Sequence, residues 1–282
     1  MWLRQLKMHT NLNFGETLNY VRDLKAGNHG VFFYRSPQEK HQVLFNFLQS
    51  GFEKGKGAVY VASQETSKQI RRQMENFGLN PKILEKDGVL RIADYYDWYI
   101  INGEVNIQHA MESGIRVFDE AAEIGLRGLV GCGEVACFFE HNKEKELVDY
   151  ELMVGRNFDL PITALCAYDV SHAKSLQEEF FLNLVKAHGP FITSSFAQEV
   201  KFETFFPPIM NQTLESVLGE EGKETLLRLL YEHHSITLQN ICEDPKSFLR
   251  GLEKSLGSGA QILKKSMVRQ IYSKIGITSA CA

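Results

Sequence analysis

The 282-residue chain has no apolar run of 18 residues, so no segment of it reads as a bilayer-spanning helix. Residues 1–7, Met-Trp-Leu-Arg-Gln-Leu-Lys, lack the apolar core of a secretory leader, and cytoplasmic residence is the expectation. Cysteine is scarce and odd in number, five in all, which excludes a disulfide framework. Proline is equally sparse, seven in all, and no repeat or low-complexity stretch is present, so collagen-like and linker-like chains are excluded. Charge of one sign is lacking too. The net charge is −4 and the isoelectric point about 6.2, a poor match to a protein built to bind nucleic acid. What remains, 44% apolar and 23% charged, is ordinary globular composition at a length that suits two domains.

Short apolar runs at residues 31–34, 58–62, 89–93, 128–132 and 162–167 alternate with helix-periodic stretches. Val43, Leu44, Phe47 and Leu48 mark one such helix, and Ile70, Met74 and Phe77 another. Ile107, Met111, Ile115, Phe118 and Ala122 mark a third, Leu147, Glu151, Leu152 and Phe158 a fourth, and Leu176, Phe180 and Leu184 a fifth. Strands apolar throughout and separated by helices predict a mostly parallel sheet covered on both faces, an α/β three-layer sandwich. From Asn211 the pattern is helical only, with Gly219, Gly251, Gly257 and Gly259 as punctuation. That part holds 9 Lys and Arg against 8 Asp and Glu, leaving 22 against 27 before it, so −4 divides into +1 and −5. Pro207-Pro208 fits neither helix interior nor central strand. The expected division is therefore 1–208 and 209–282, the pair acting as a stiff hinge.

In open parallel sheets ligands bind beyond the carboxyl ends of the strands. The candidate segments are then Tyr34-Arg35-Ser36, residues 63–66, residues 94–99, Gly133-Glu134 and Tyr168-Asp169. The first of these turns is where a phosphate loop would sit. Lys40 can stand at the lysine position, but Tyr34 and Glu39 occupy the glycine positions and His41 the hydroxyl position. Glu39 beside a triphosphate would repel it. Ordinary nucleotide binding is not expected, hydrolysis still less, and no metal or cofactor is implied.

With these residues in view the chain resembles the methanogen/methylotroph sensory (MEDS) domain, a degenerate relative of RecA/KaiC-like ATPases. The resemblance is carried over about residues 28–195 by His29-Gly30-Val31-Phe32-Phe33-Tyr34-Arg35-Ser36, Phe47 through Gly55 into Ala58-Val59-Tyr60-Val61, Gly133-Glu134, the helix with Glu151, Ala164 through Asp169, and His188-Gly189-Pro190. Family members usually read His-Pro where Gly189 intervenes here. The resemblance implies a sensing module in signalling or transcription control that recognises small organic molecules. The stretch from Leu214 to Tyr272 also looks like the small helical output domains of archaeal sensors. In RecA/KaiC-like enzymes a glutamate matching Glu65 is catalytic, but the magnesium-holding aspartate is replaced by Gly131-Cys132-Gly133-Glu134, so Glu65 reads as a pocket group or fold element.

Single residues sharpen the expectation. Glu134, just past a buried strand, needs a partner, which could be a ligand, Arg35 or the following turn that it would cap. Glu151 lies on the apolar-leaning face of its helix, where it could join the same network or face solvent. Cys132, Cys137 and Cys166 read as core packing rather than as thiol sensors or zinc ligands. The aromatic cluster at 94–99 could close over a ligand as a lid, pack on the sheet edge as a hydrophobic loop, or meet a second copy in a homodimer, with Tyr34, Tyr96 and Tyr168 lining a pocket if it folds inward. Adjacent His233-His234 point apart on a helix and make a poor metal pair. Lys254, Lys264, Lys265, Arg269 and Lys274 form a basic tail without a DNA-recognition signature.

The expectation is a non-enzymatic sensor with no catalytic residues. It binds a small organic ligand through Tyr34, Arg35, Ser36, Glu65, Tyr96, Glu134, Glu151 and Tyr168, and meets a protein partner through its helical part, with neither membrane nor direct nucleic-acid contact. The alternative is a divergent nucleotide-binding protein or ATPase using Lys40 and Glu65.

Overall fold

In a computed structural model, residues 12–155, 158–237 and 239–277 are described; residues 1–11, including the opening segment, and Cys281 lie outside them. Helix α1 (Phe14–Arg22) leads to strand β1 (His29–Tyr34). Then come α2 (Pro37–Glu53), β2 (Gly57–Ala62), α3 (Ser67–Phe77), α4 (Pro81–Lys86) and β3 (Leu90–Asp94). A single 3₁₀ turn at Tyr95–Asp97 precedes a small hairpin, β4 (Ile100–Ile101) and β5 (Glu104–Val105). Next are α5 (Ile107–Glu123), β6 (Leu129–Glu134), α6 (Ala136–Glu140), α7 (Glu144–Val154), β7 (Ile162–Asp169), α8 (Val170–Ser175) and α9 (Glu178–Ala187). The strands β8 (Pro190–Thr193) and β9 (Phe196–Glu199) end the sheet. Helices α10 (Phe202–His234), α11 (Asn240–Glu243), α12 (Pro245–Leu256) and α13 (Ala260–Lys274) complete the described residues.

The main sheet runs β3-β2-β6-β7-β1-β8-β9, parallel throughout except where β9 returns against β8. The α/β sandwich read from the alternation is present, with two further strands at one edge. Each strand is apolar on both faces because both are covered. Phe32, Tyr60, Val130 and Leu165 meet the helices α1 to α4, while Val31, Phe33, Val59, Val61, Cys166 and Tyr168 meet α5 to α9 and the C-terminal helices. Local chemistry sets the helix starts. Ser36 and Thr66 cap α2 and α3 through their side chains, and Pro37 occupies the first position of α2. The helix expected to reach Phe158 stops at Val154, because Gly155 turns to a positive φ of 67°.

The proline pair is not a boundary. Helix α10 starts at Phe202 and runs through Pro207 and Pro208, and the break comes at Gly219, with φ 72° and ψ 172°. The two missing amides would have bonded the carbonyls of Glu203 and Thr204, both on exposed residues where water can take their place. Nor does the helical part close a core of its own. Phe202, Phe206, Phe248, Leu252, Met267 and Ile271 belong to the same apolar cluster as Phe181, Leu184 and Val185 of α9. Tyr272 donates to the carbonyl of Ala173 at 3.0 Å, and Lys264 of the basic tail is buried against Glu253.

Candidate functional site

Successive crossovers reverse direction between β2 and β6, which makes their carboxyl ends the switch point of the sheet. An internal ion pair fills that position. Glu134, the last residue of β6, is fully buried. Its Oε1 lies 2.7 Å from Lys40 Nζ and accepts from Tyr60 Oη at 2.5 Å; its Oε2 accepts from the amides of Ser63 (2.9 Å) and Gln64 (2.6 Å). The three Lys40 protons are all used, since Glu65 Oε2 (3.0 Å) and Gln64 Oε1 (3.2 Å) complete its shell. Glu65 also meets His41 Nε2 at 2.6 Å. The His41 bond, helped by Lys40 and opposed by burial, holds the Glu65 carboxyl at about 2. At the start of α2, Glu39 accepts from the Arg35 amide at 2.8 Å and Ser36 accepts from the Glu39 amide. Carboxylates of the chain itself therefore occupy the places where a phosphate would be cradled.

The eight ligand candidates do not converge. Tyr34 is buried on the α2 side and donates to Gln64 at 3.2 Å; Glu65 and Glu134 share that side. Arg35 reaches the carbonyl of Gly276 at 3.0 Å, tying β1 to the C-terminal end, and Glu134 pairs with Lys40 instead of with Arg35. Ser36 is a helix cap. Tyr96 is 56% exposed and bonded to Asp94, so the aromatic cluster does not fold inward at that residue. Glu151 and Tyr168 lie on the opposite face of the sheet, bonded to one another at 2.5 Å. Glu151 is thus fully buried, in a network separate from that of Glu134. The three tyrosines expected to line one pocket stand in three places.

A cavity of about 290 Å³ does exist, but against the sheet face covered by α5 and α7 and not at its carboxyl edge. Val59, Val61, Gly131, Ala164 and Cys166 form its floor, and Trp98, Tyr99, Ala110, Tyr150, Val154 and Phe158 its walls. Met111, Gly114, Ile115 and Leu160 also line it, with Ile115 and Leu160 partly in solvent at 45% and 36%. The glycines of β6 let the cavity's lining residues approach the strand closely. A Cβ at Gly133 would stand 2.2 Å from the Tyr99 hydroxyl, and at Gly131 it would crowd Val59 at 3.2 Å. Side chains at these two positions would displace Tyr99 from the cavity wall and crowd Val59 on its floor. The signal was present in the sequence as Gly131-Cys132-Gly133, read there only as a missing aspartate.

One end of the cavity is polar. His29, the first residue of β1, and Cys166, in the middle of β7, both line it and lie 3.2 Å apart, Nε2 to Sγ. Behind them stand Glu151 and His188, and all four residues are buried. The His29 Nδ1–H donates to the Gly155 carbonyl at 2.7 Å, and the His188 Nδ1–H to the Leu184 carbonyl at 2.8 Å, which turns both Nε2 atoms toward Glu151. Burial raises the Glu151 carboxyl, but His188, His29 and Tyr168 together more than reverse this and leave it below its ordinary range. Burial and then Glu151 push the Cys166 thiol and the Tyr168 hydroxyl up. Cys132, on the neighbouring strand, projects to the other face, so the two cannot join across the sheet. Cys137 is likewise buried, its thiol pushed up to about 12 by burial, which makes it a poor nucleophile. His29 and His188 were visible in the sequence only as the ends of the family-like region; nothing in their spacing places them together.

The chain matches the MEDS family (MEthanogen/methylotroph, DcmR Sensory domain) over residues 28–188, and it belongs to that family. The match begins and ends at the two buried histidines, to within one residue. Among solved structures, it is similar to a KaiC-like protein from the hyperthermophilic archaeon Pyrococcus horikoshii OT3, with a TM-score of 0.43 and 15% identity over 60% of this chain and 71% of that one. It is also similar to a second Pyrococcus horikoshii OT3 protein, with a TM-score of 0.45 and 9% identity over 67% of this chain and 94% of that one. No curated protein matches the chain. Among the described residues no helix is long and apolar enough to cross a membrane.

Proposed function

We propose that this protein is a non-enzymatic sensor that binds a small organic molecule in the cavity between the β2-β6-β7 face and helices α5 and α7. The cavity carries the reading: it is mostly apolar, bounded by aromatic rings, and supplied with a few polar groups at one end, the usual make-up of a small-molecule site. The same cavity argues for a compact ligand, since about 290 Å³ is at the low end for such sites. Membership of a sensory family supports a role in signal transduction. The buried Lys40–Glu134 pair argues against nucleotide hydrolysis, because the lysine that would meet a phosphate already has three acceptors. Helix α9, which ends immediately before His188 and packs on α12 and α13, would pass occupancy to the helical part, whose outer surface would meet a protein partner in transcription control in the cytoplasm.

Thermal-shift measurement against short-chain alcohols, thiols and small aromatic molecules tests this. A ligand held only by the folded state adds about 2.7 kcal/mol at a hundredfold excess over its dissociation constant. Gly114→Leu is the control. A Cβ at Gly114 meets nothing within 4 Å, and replacing a helical glycine gains up to about 1 kcal/mol, so the variant fills the cavity without unfolding the protein. The expected result is a ligand-induced shift in the parent and none in Gly114→Leu. ATP turnover that disappears in Lys40→Ala and Glu65→Gln would establish the nucleotide alternative instead.

A further inference from the structure

We infer that His29, His188, Glu151 and Cys166 form the ligand shell of a single four-coordinate transition-metal ion of the zinc class. Four potential ligand atoms from β1, α7, β7 and the residue that follows α9, two imidazole nitrogens, one carboxylate oxygen and one sulfur, lie within 4.8 Å of one another. A tetrahedral zinc ion with bonds of about 2.0–2.3 Å requires ligand atoms about 3.3–3.6 Å apart. The observed separations are 3.2 Å for His29 Nε2 to Cys166 Sγ and 3.3 Å for His29 Nε2 to Glu151 Oε2. His188 Nε2 lies 3.5 Å from Glu151 Oε2, and Cys166 Sγ lies 3.7 Å from it. Hydrogen bonding alone explains this cluster poorly, because three of the groups crowd the single oxygen Glu151 Oε2.

The surroundings are those of a metal shell. Each histidine donates its Nδ1–H to a backbone carbonyl, which leaves the Nε2 lone pair for the ion and fixes the ring plane. Tyr168 occupies Glu151 Oε1 at 2.5 Å, leaving Oε2 for coordination. One carboxylate and one thiolate balance a divalent cation, so a closed site would bury no net charge. On binding, the Cys166 S–H bond breaks, its electron pair goes to the metal–sulfur bond, and the proton leaves to solvent. The His29–Cys166 edge faces the cavity, which places the ion beside whatever occupies it. The metal inference does not depend on the sensory reading, since the shell stands whether or not the cavity takes a ligand.

The test uses the full chain, purified, stripped with chelator and titrated with Co2+ and separately with Zn2+. The expected result is one ion per chain, with the intense visible bands of four-coordinate cobalt and a near-ultraviolet thiolate-to-cobalt band that added Zn2+ abolishes. Cys166→Ser loses the thiolate band, and His188→Gln weakens binding. Tyr168→Phe, which keeps the ring and removes only the hydroxyl bonded to Glu151, lowers affinity by about 10- to 100-fold. If stripped protein remains folded by circular dichroism and binds no cobalt, the inference fails. It fails equally if bound cobalt shows the weak bands of a six-coordinate ion, or if its spectrum is unchanged in Cys166→Ser. Loss of the sensory reading would appear differently, as a normal cobalt spectrum without any ligand-induced thermal shift.

Discussion

Lys40 shows how one side chain can occupy a site that the fold usually leaves for a ligand. Removing one partner of a buried pair leaves a desolvated charge, so Lys40→Met is expected to cost about 3–5 kcal/mol, read as a lower urea midpoint. Adding Glu134→Gln should recover much of that loss, because the carboxylate left behind is then gone. Glu65 gives a pH signature. Its folded value of about 2 lies below the ordinary 4.5, so it stabilises the fold fully above pH 4.5 and progressively less as pH falls toward 2. Glu65→Gln should flatten the stability curve across that window in acid unfolding; a curve of unchanged slope would show that the His41 and Lys40 contacts contribute nothing. At this scale the sequence was partly legible. Glu134 and Glu151 announced themselves as acids in apolar surroundings, but their partners did not, since Lys40 lies 94 positions before Glu134 and His188 reaches Glu151 only through the placement of α9 beside α7.

Elements were more legible than contacts. Five of the seven strands in the main sheet follow from apolar runs between helices, whereas the edge pair β8 and β9, four residues each and joined by a two-residue turn, is too short to stand out. Pro207 and Pro208 sit inside α10 against expectation because missing amides matter most where their carbonyl partners are buried, and Glu203 and Thr204 are exposed. Strand β6 permits a sharper experiment. Gly133→Ala would set a methyl group 2.2 Å from the Tyr99 hydroxyl and is expected to cost about 1–3 kcal/mol. Tyr99→Phe removes the oxygen and moves the nearest ring atom to 3.5 Å, so the double variant should be more stable than Gly133→Ala alone. Simple additivity in a double-mutant cycle would dismiss that contact.

For the whole molecule, the composition shift marks a change of structural class without a change of core. A chain ending at residue 201 would bare the faces of α9 that meet α10, α12 and α13, and is expected to bind hydrophobic dye and lose its cooperative melt. A sharp, dye-free transition in that fragment would show an independent N-terminal domain. Two-sided burial has a different consequence for the kinds of change this chain can accept. Along β7 the residues alternate between faces, with Cys166 and Tyr168 on one and Leu165 and Ala167 on the other. Deleting a single codon early in that strand would exchange the two sets, turning leucine and alanine toward His29 and the thiol and phenol toward α2. A one-residue insertion or deletion inside the sheet therefore disrupts both faces at once, and changes of length are expected to be accepted only in the connections.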